Sequence, residues 1–362
     1  MSHYGTVRNY QDGSVAWKKK SDRWRLKGLY TDDTQQALAL ADVLLAFGHV
    51  DVDRLAALYL ELLAEPTESF CGAHRGVGRS FRQVLTQLQM GVSPRESGQV
   101  DSAGAGAAMR ITPVPLYFAD EPERILDAVL DASLMTHRDC RSLGAALAVA
   151  HAVRRLAAGA PRSASLLFLV ADDVLQGERA MKDRTRGQVA TLDDHPHSLS
   201  TAIARVERIL DAPRERALTA LVQEANLHGA EPLCRRPTMG FAPALVPTCL
   251  YLLLTTDSFE DALIDVVNLG GDADTAGAVL GAMAGAHYGV EAIPSRWLDG
   301  LQNRQGIEAR ADALVARSTE GLDVPDLVAT ERSLSRREAA SRDDLKNLQN
   351  QSGGDMGANR RL

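Results

Sequence analysis

From Asp33 onward the apolar residues of this chain recur at intervals of three and four, which places them on one face of an α-helix. Leu38, Ala41, Leu44 and Leu45 share such a face. The pattern resumes at 52–65, 79–91, 121–135, 140–159, 163–182, 198–211, 214–228, 244–256 and 258–271. No segment has a convincing period of two, so a sheet has nothing to be built from. Composition agrees, since aromatics are only 5% and Ala and Leu dominate. The expected fold class is all-α, a single helical domain, and 362 residues suffice for a sizeable core.

The boundaries follow from where the pattern stops. Residues 1–30 carry Gly, Lys, Arg and Trp without a period and read as irregular. Residues 31–325 form the helical domain, and 326–362 lose apolar content and read as a frayed helix followed by disorder. Two long glycine- and proline-rich loops interrupt the helices, at 92–115 and 229–243. Loops of that length inside a compact domain are functional or mobile as a rule.

Charge and cysteines exclude some classes. A net charge of −7 argues against nonspecific nucleic-acid binding, which needs a cationic surface. The basic stretch KKKSDRWRLK (18–27) reads as a solvated loop and KDRTR (182–186) as a helix end. Cys71, Cys140, Cys234 and Cys249 are widely spaced, with neither a zinc nor a disulfide pattern. The start, MSHYGTVRNYQDG, lacks the apolar run of a signal peptide, and no apolar run reaches the roughly 20 residues of a membrane span. A cytoplasmic protein is expected.

Two acidic clusters stand out, TDDT (31–34) and DADT (272–275), each at the start of a helix. Taken alone, each is read most simply as a helix N-cap with acidic residues against the dipole. Taken together they offer four carboxylates and threonine hydroxyls with no His or Cys, a donor set that suits hard cations such as Mg²⁺ or Mn²⁺. If the two helix ends faced each other, four aspartates would balance two divalent ions. Gly270 and Gly271 permit a tight turn beside a ligand. Gly277, Gly281, Gly285 and Gly289 step by four along one face of a helix expected to be buried, where each must offset about 1 kcal/mol of lost helix propensity through close packing. The cluster LDDHPH (192–197) could also bind metal, but its proline and position favour a solvated turn.

Four segments, in order, resemble the motifs of the ADP-ribosylglycohydrolases: YTDDTQQALALA (30–41), DSAGAGAAMRITPVPL (101–116), THRDCRSLGAALAVAHAV (136–153) and NLGGDADTAGAVLGAMAGAHYG (268–289), followed by IPSRW (293–297). The resemblance implies an orthogonal all-α bundle with a binuclear Mg²⁺ or Mn²⁺ centre that cleaves ADP-ribose from an acceptor, a modified protein or a small molecule. It implies Thr31, Asp32, Asp33, Asp272, Asp274 and Thr275 as metal ligands, and the four aspartates as the catalytic set acting through an activated water. It further implies substrate contacts from Gly104, Ala105, Gly106 and His137, and more weakly from Gly76 and Gly78 in HRGVGRSF (74–81). For His137 the competing reading is a solvent-facing histidine at a helix start.

The chain departs from the family pattern twice. The family places a glutamate well ahead of TDDT, whereas here the first glutamate is Glu61 and the only acids before Thr31 are Asp12 and Asp22. Ala105 stands where the family's loop often has asparagine. The reading is therefore a metal-dependent hydrolase. A protein that binds ADP-ribose or an ADP-ribosyltransferase without efficient turnover is the alternative, and a phosphoester hydrolase on the same scaffold is a third possibility.

Overall fold

In the computed structural model, residues 6–10, 25–65, 71–100, 102–185, 188–189, 198–230 and 232–358 are described. Helices account for the regular structure: α1 (Asp32–Phe47), α2 (Val52–Leu63), α3 (Arg79–Gln89), α4 (Pro113–Tyr117), α5 (Ile125–Leu134), α6 (Cys140–Ala157), α7 (Ala164–Arg184), α8 (Leu199–Arg205), α9 (Arg214–Asn226), α10 (Ala242–Thr255), α11 (Phe259–Asn268), α12 (Ala273–Tyr288), α13 (Ser295–Leu298), α14 (Arg304–Ala316) and α15 (Leu327–Ala358). No strand occurs among the described residues, as the missing period-two pattern requires; isolated bridges pair Gln99 with His137 and Gly104 with Phe241. One hydrophobic core runs from Leu38 in α1 to Val328 in α15.

The centre of the bundle is α6, not the glycine-stepped helix. Every residue from Cys140 to Ala150 is buried, and α6 packs against α5, α7, α10 and α12. Its sequence LGAALAVA is apolar all round, the signature of a helix with no solvent face. The glycine-stepped α12 is only half-buried. Its Ala276, Val279, Leu280, Met283 and Ala284 face the core, while its glycines lie on the other side. A methyl group built on Gly277 or Gly281 would make ordinary contacts, 3.9 Å to Val267 and 3.7 Å to Leu263, and one on Gly285 would meet nothing within 4 Å. Close packing therefore does not explain these three glycines. Gly289 is different, because it ends the helix at φ +79°, which disfavours any side chain.

The segment from 326 onward is also corrected. Asp326 caps α15 by accepting from the Ala329 amide at 2.7 Å. Leu327, Val328, Glu331, Leu334, Ser335 and Glu338 are all buried against the bundle. Those six positions have helical spacing, but three of them are polar, so a count of apolar residues misses the stripe. The first segment is irregular where described. Val7 exchanges hydrogen bonds with the Asn268 side chain at 2.7 and 2.9 Å, and the Tyr10 hydroxyl donates to the Trp297 carbonyl at 2.9 Å. Trp17, Trp24, Asp12, Asp22 and the LDDHPH cluster lie outside the described residues. All four cysteines are buried and none is disulfide-bonded. No helix among the described residues is long and apolar enough to cross a membrane.

Because Gly285 faces open space inside a helix, Gly285→Ala should raise stability by up to about 1 kcal/mol. Urea unfolding followed by circular dichroism measures this, and a loss of stability would show that an unseen contact needs the glycine.

Candidate active site

The two acidic clusters meet. Thr31 and Asp272 occupy the positions preceding α1 and α12, yet neither side chain caps its helix. By contrast, Asp51, Asp139, Ser198 and Ser258 all accept a backbone N–H in the ordinary way. Thr31 Oγ1 instead donates to Asp33 Oδ2 at 2.7 Å. The simple capping reading of both clusters therefore fails on geometry. A cavity of about 180 Å³ is lined by Asp32, Asp33, Asp272, Asp274 and Thr275, with Thr31 behind Asp33. Gly76, Gly78, Gly104, Ala105, Gly106 and His137 line the same cavity. The residues that the family resemblance implied are thus assembled around one cavity, Thr31 through Asp33.

Backbone turns set the approach of each cluster. Gly270 and Gly271 are both left-handed, at φ +70° and +71°. They deliver the Asp272 amide to the Thr238 carbonyl at 2.7 Å, and the Thr238 hydroxyl donates to the Gly270 carbonyl at 2.7 Å. On the other side, the Asp32 amide donates to the Arg75 carbonyl at 2.7 Å. Gly76 follows at φ +82°, where a methyl would lie 3.0 Å from Thr31 and 3.3 Å from Asp32 Oδ1.

The carboxylates are crowded and mostly dry. Asp32 and Asp33 are buried at 6% and 4% exposure, Asp272 is half-buried and Asp274 is exposed at the rim. Burial, then the neighbouring Asp33 and Asp274 charges, pushes the Asp32 carboxyl up to about 8. Burial and then Asp274 push Asp272 up to about 7. Asp33 is raised by the same causes, partly offset by the Thr31 and Thr275 hydroxyls. Asp33 Oδ1 is buried with no hydrogen-bond partner in the structure. An all-oxygen donor set with an orphaned carboxylate oxygen fits a hard divalent cation. The cluster is nonetheless open: among the described residues, no three His, Cys, Asp or Glu side chains form a closed metal-ligand group.

The opposite wall is built on the 92–112 loop, which is pinned rather than loose. Ala105 N donates to the Gly240 carbonyl at 3.0 Å, and Ala242 N to the Ala103 carbonyl at 2.8 Å. Ser142 Oγ donates to the Gly104 carbonyl at 2.7 Å. His137 packs against this loop, and a methyl on Gly106 would sit 2.8 Å from its Cε1. His137 is buried at 6% exposure, not solvent-facing. Burial, then the Arg110 charge, pushes its pKa down to about 3, so the ring is neutral near pH 7. Its Nδ1 is 2.8 Å from Thr136 Oγ1.

Three further residues escaped sequence reasoning. Gln36 Nε2 donates to Asp32 Oδ2 at 3.0 Å. The fully buried Arg110 donates to Gln36 Oε1, to Thr136 Oγ1 and, at 3.0 Å, to the Ala132 carbonyl. Gly240 lies so close to Asp272 that a methyl would be 2.5 Å from Oδ2. An arginine inside the small-residue run GAGAAMRIT was the available signal for Arg110; Gln36 and Gly240 carried none. Among the described residues, no glutamate lines the cavity. Ala105, where the family often has asparagine, contributes its backbone to the Gly240 bridge.

Comparison with known proteins gives the family. The profile of the ADP-ribosylglycohydrolase family matches residues 2–323. The chain is 31% identical to the ADP-ribosyl-[dinitrogen reductase] glycohydrolase of Rhodospirillum rubrum, covering 83% of each. It is 26% identical to human ADP-ribosylhydrolase ARH3, over 79% of this chain and 78% of that one. It is 23% identical to the ADP-ribosylarginine hydrolase Tri1 of Serratia proteamaculans, over 81% of this chain and 69% of that one. A solved structure, an ADP-ribosylglycohydrolase-related protein complex, aligns at TM-score 0.56 and 31% identity, over 80% of this chain and 82% of that one. With its all-α bundle and match across nearly the whole chain, this protein belongs to the ADP-ribosylglycohydrolase family and is a hydrolase of that class.

Two outcomes are expected of the site itself. Raised folded-state pKa values mean that the stability contributed by Asp32 and Asp272 is fully present below about pH 4 and is lost as pH climbs through about 7 to 8. In chelator, the thermal midpoint should therefore fall between about pH 4 and 8, and Asp32→Asn should flatten the fall; parallel curves for the two proteins would refute it. Gly240→Ala should displace the Asp272 carboxylate and cut turnover while leaving the circular dichroism spectrum unchanged.

Proposed function

We propose that this protein reverses ADP-ribosylation by hydrolysing the glycosidic bond between ADP-ribose and an acceptor, with two divalent cations, Mg²⁺ or Mn²⁺, held between the clusters. The reading rests on one observation above all: four aspartates from two distant helix starts line one cavity, at a cost that a bound cation would offset. Asp32, Asp33, Asp272 and Asp274, with the hydroxyls of Thr31 and Thr275, are the residues that would hold the ions. Such ions, when bound, supply positive charge that orients ribose hydroxyls and lowers the pKa of a water beside the anomeric carbon.

The remaining work falls to the chain. Glycosidic cleavage at that carbon passes through an oxocarbenium-like state. Gly104, Ala105 and Gly106 let a diphosphate approach main-chain atoms closely, and Gly76 and Gly78 do so from the other side. Neutral His137 hydrogen-bonds without placing a competing cation in the cavity. Phe81 and Met109 supply apolar wall against which a ribose or base can pack. The acceptor is an ADP-ribosylated protein or a small molecule outside this cavity, and four buried, unbridged cysteines favour a reducing, cytoplasmic setting.

A binding-only reading has one observation in its favour: among the described residues, no glutamate lines the cavity. A single experiment separates the two. ADP-ribose release from arginine- and serine-modified proteins is measured with Mg²⁺, with Mn²⁺ and with EDTA, alongside Asp272→Asn/Asp274→Asn. The hydrolase reading expects cation-dependent release that drops by roughly 100-fold or more in the double variant. No release from either substrate, with ADP-ribose still bound by calorimetry, would favour the binder.

A further inference from the structure

The family profile ends at residue 323, and the next helix, α15, starts at Leu327. Its Glu331 is fully buried at 0% exposure, directly behind the turn that carries Asp32 and Asp33. Glu331 does not line the cavity, so it does not replace the glutamate the family places ahead of TDDT. Every one of its bonds leads instead to that turn. Glu331 Oε2 accepts from Arg75 Nη2 and, at 2.7 Å, from Gln35 Nε2. Its Oε1 accepts from the Tyr30 hydroxyl at 2.5 Å.

The three partners converge on the same backbone. Arg75 Nε donates to the Tyr30 carbonyl at 3.1 Å, its Nη1 donates to Ser335 Oγ at 2.8 Å, and its own carbonyl accepts the Asp32 amide at 2.7 Å. The Arg75 amide donates to Gln35 Oε1 at 2.9 Å. Residues 30, 32 and 35 are thus tied to one arginine, and that arginine is tied to one glutamate on a helix outside the family match.

We propose that Glu331 is a positioning residue for the cation site, fixing the Thr31–Asp33 turn through Arg75, Gln35 and Tyr30. The proposal rests on the reading of Asp32 and Asp33 as cation ligands. Partners behind ligating carboxylates orient them, and their loss typically lowers metal affinity by about 10- to 100-fold. Glu331 acts one step further back, through the backbone of the ligand turn: it holds Arg75, whose carbonyl accepts the Asp32 amide, from a helix that the family profile does not include.

A second ion pair on α15 provides the control. Arg336 bonds the Glu65 carboxylate at 2.5 and 3.0 Å, anchoring α15 without touching Tyr30, Gln35 or Arg75. Mn²⁺ affinity is measured by electron paramagnetic resonance of the free ion for the wild-type protein, Glu331→Gln, Glu331→Ala and Arg336→Ala. Thermal midpoints in EDTA and the split of kcat from KM are recorded alongside, well below every midpoint. The expected result is Mn²⁺ affinity lowered about 10-fold or more in Glu331→Ala, less in the isosteric Glu331→Gln, and unchanged in Arg336→Ala even if its midpoint falls. The loss should appear mainly in kcat at limiting Mn²⁺ and be recovered by excess ion. Wild-type affinity in both Glu331 variants, with a lowered midpoint only, would make Glu331 a helix anchor and overturn the proposal. Absence of Mn²⁺ binding by the wild-type protein would instead overturn the ligand assignment, and the proposal with it.

Discussion

Repulsion among four aspartates is the constraint around which this molecule is arranged. Two of them, Asp32 and Asp33, are buried, and the other two come from a helix start more than two hundred residues away in sequence. Folding brings like charges together in a poorly solvated place, which is unfavourable for the protein alone. Helix N-termini soften that cost, because their dipoles favour negative charge. The geometry gives up other stability as well, since neither Thr31 nor Asp272 performs the capping its position would allow.

Much of the surrounding structure holds this arrangement in place. Gly270, Gly271 and Gly76 accept left-handed backbone so that the clusters can turn inward. Two polar relays support Asp32. One runs through Gln36 to the buried Arg110 and on to Thr136 and His137, and so links the acidic wall to the loop wall. The other runs through its amide to Arg75 and Glu331. Both arginines are almost entirely buried. A buried guanidinium is poor evidence for stability but a strong device for fixing geometry, because it must keep its partners or bear an unpaired charge.

The family match stops short of one helix that the structure places against the site. The match with the family profile covers residues 2–323, including both acidic clusters and both glycine-rich loops. Beyond it lies α15, which contributes Glu331, Ser335 and Glu338 to the interior. The family match thus leaves out a helix on which the Thr31–Asp33 turn depends in this chain.

The all-α class was legible because helical periodicity is local, and so were the two acidic clusters, since residue type and spacing are visible without a fold. The cavity-lining glycines and His137 were legible through the family motifs. The sequence did not disclose that α6 is central and α12 half-exposed, because burial on the second face of a helix depends on which neighbours cover it. It hid α15, whose buried stripe is half polar and whose Glu331 finds its partners in Arg75, Tyr30 and Gln35 from the far end of the chain. Gln36, Arg110 and Gly240 were silent for the same reason. By itself the sequence determined what chemistry could be offered, oxygen ligands and small-residue loops on helices. Tertiary structure decided which carboxylates are buried, which are repelled and what braces them, because those quantities depend on distances between residues that only folding sets.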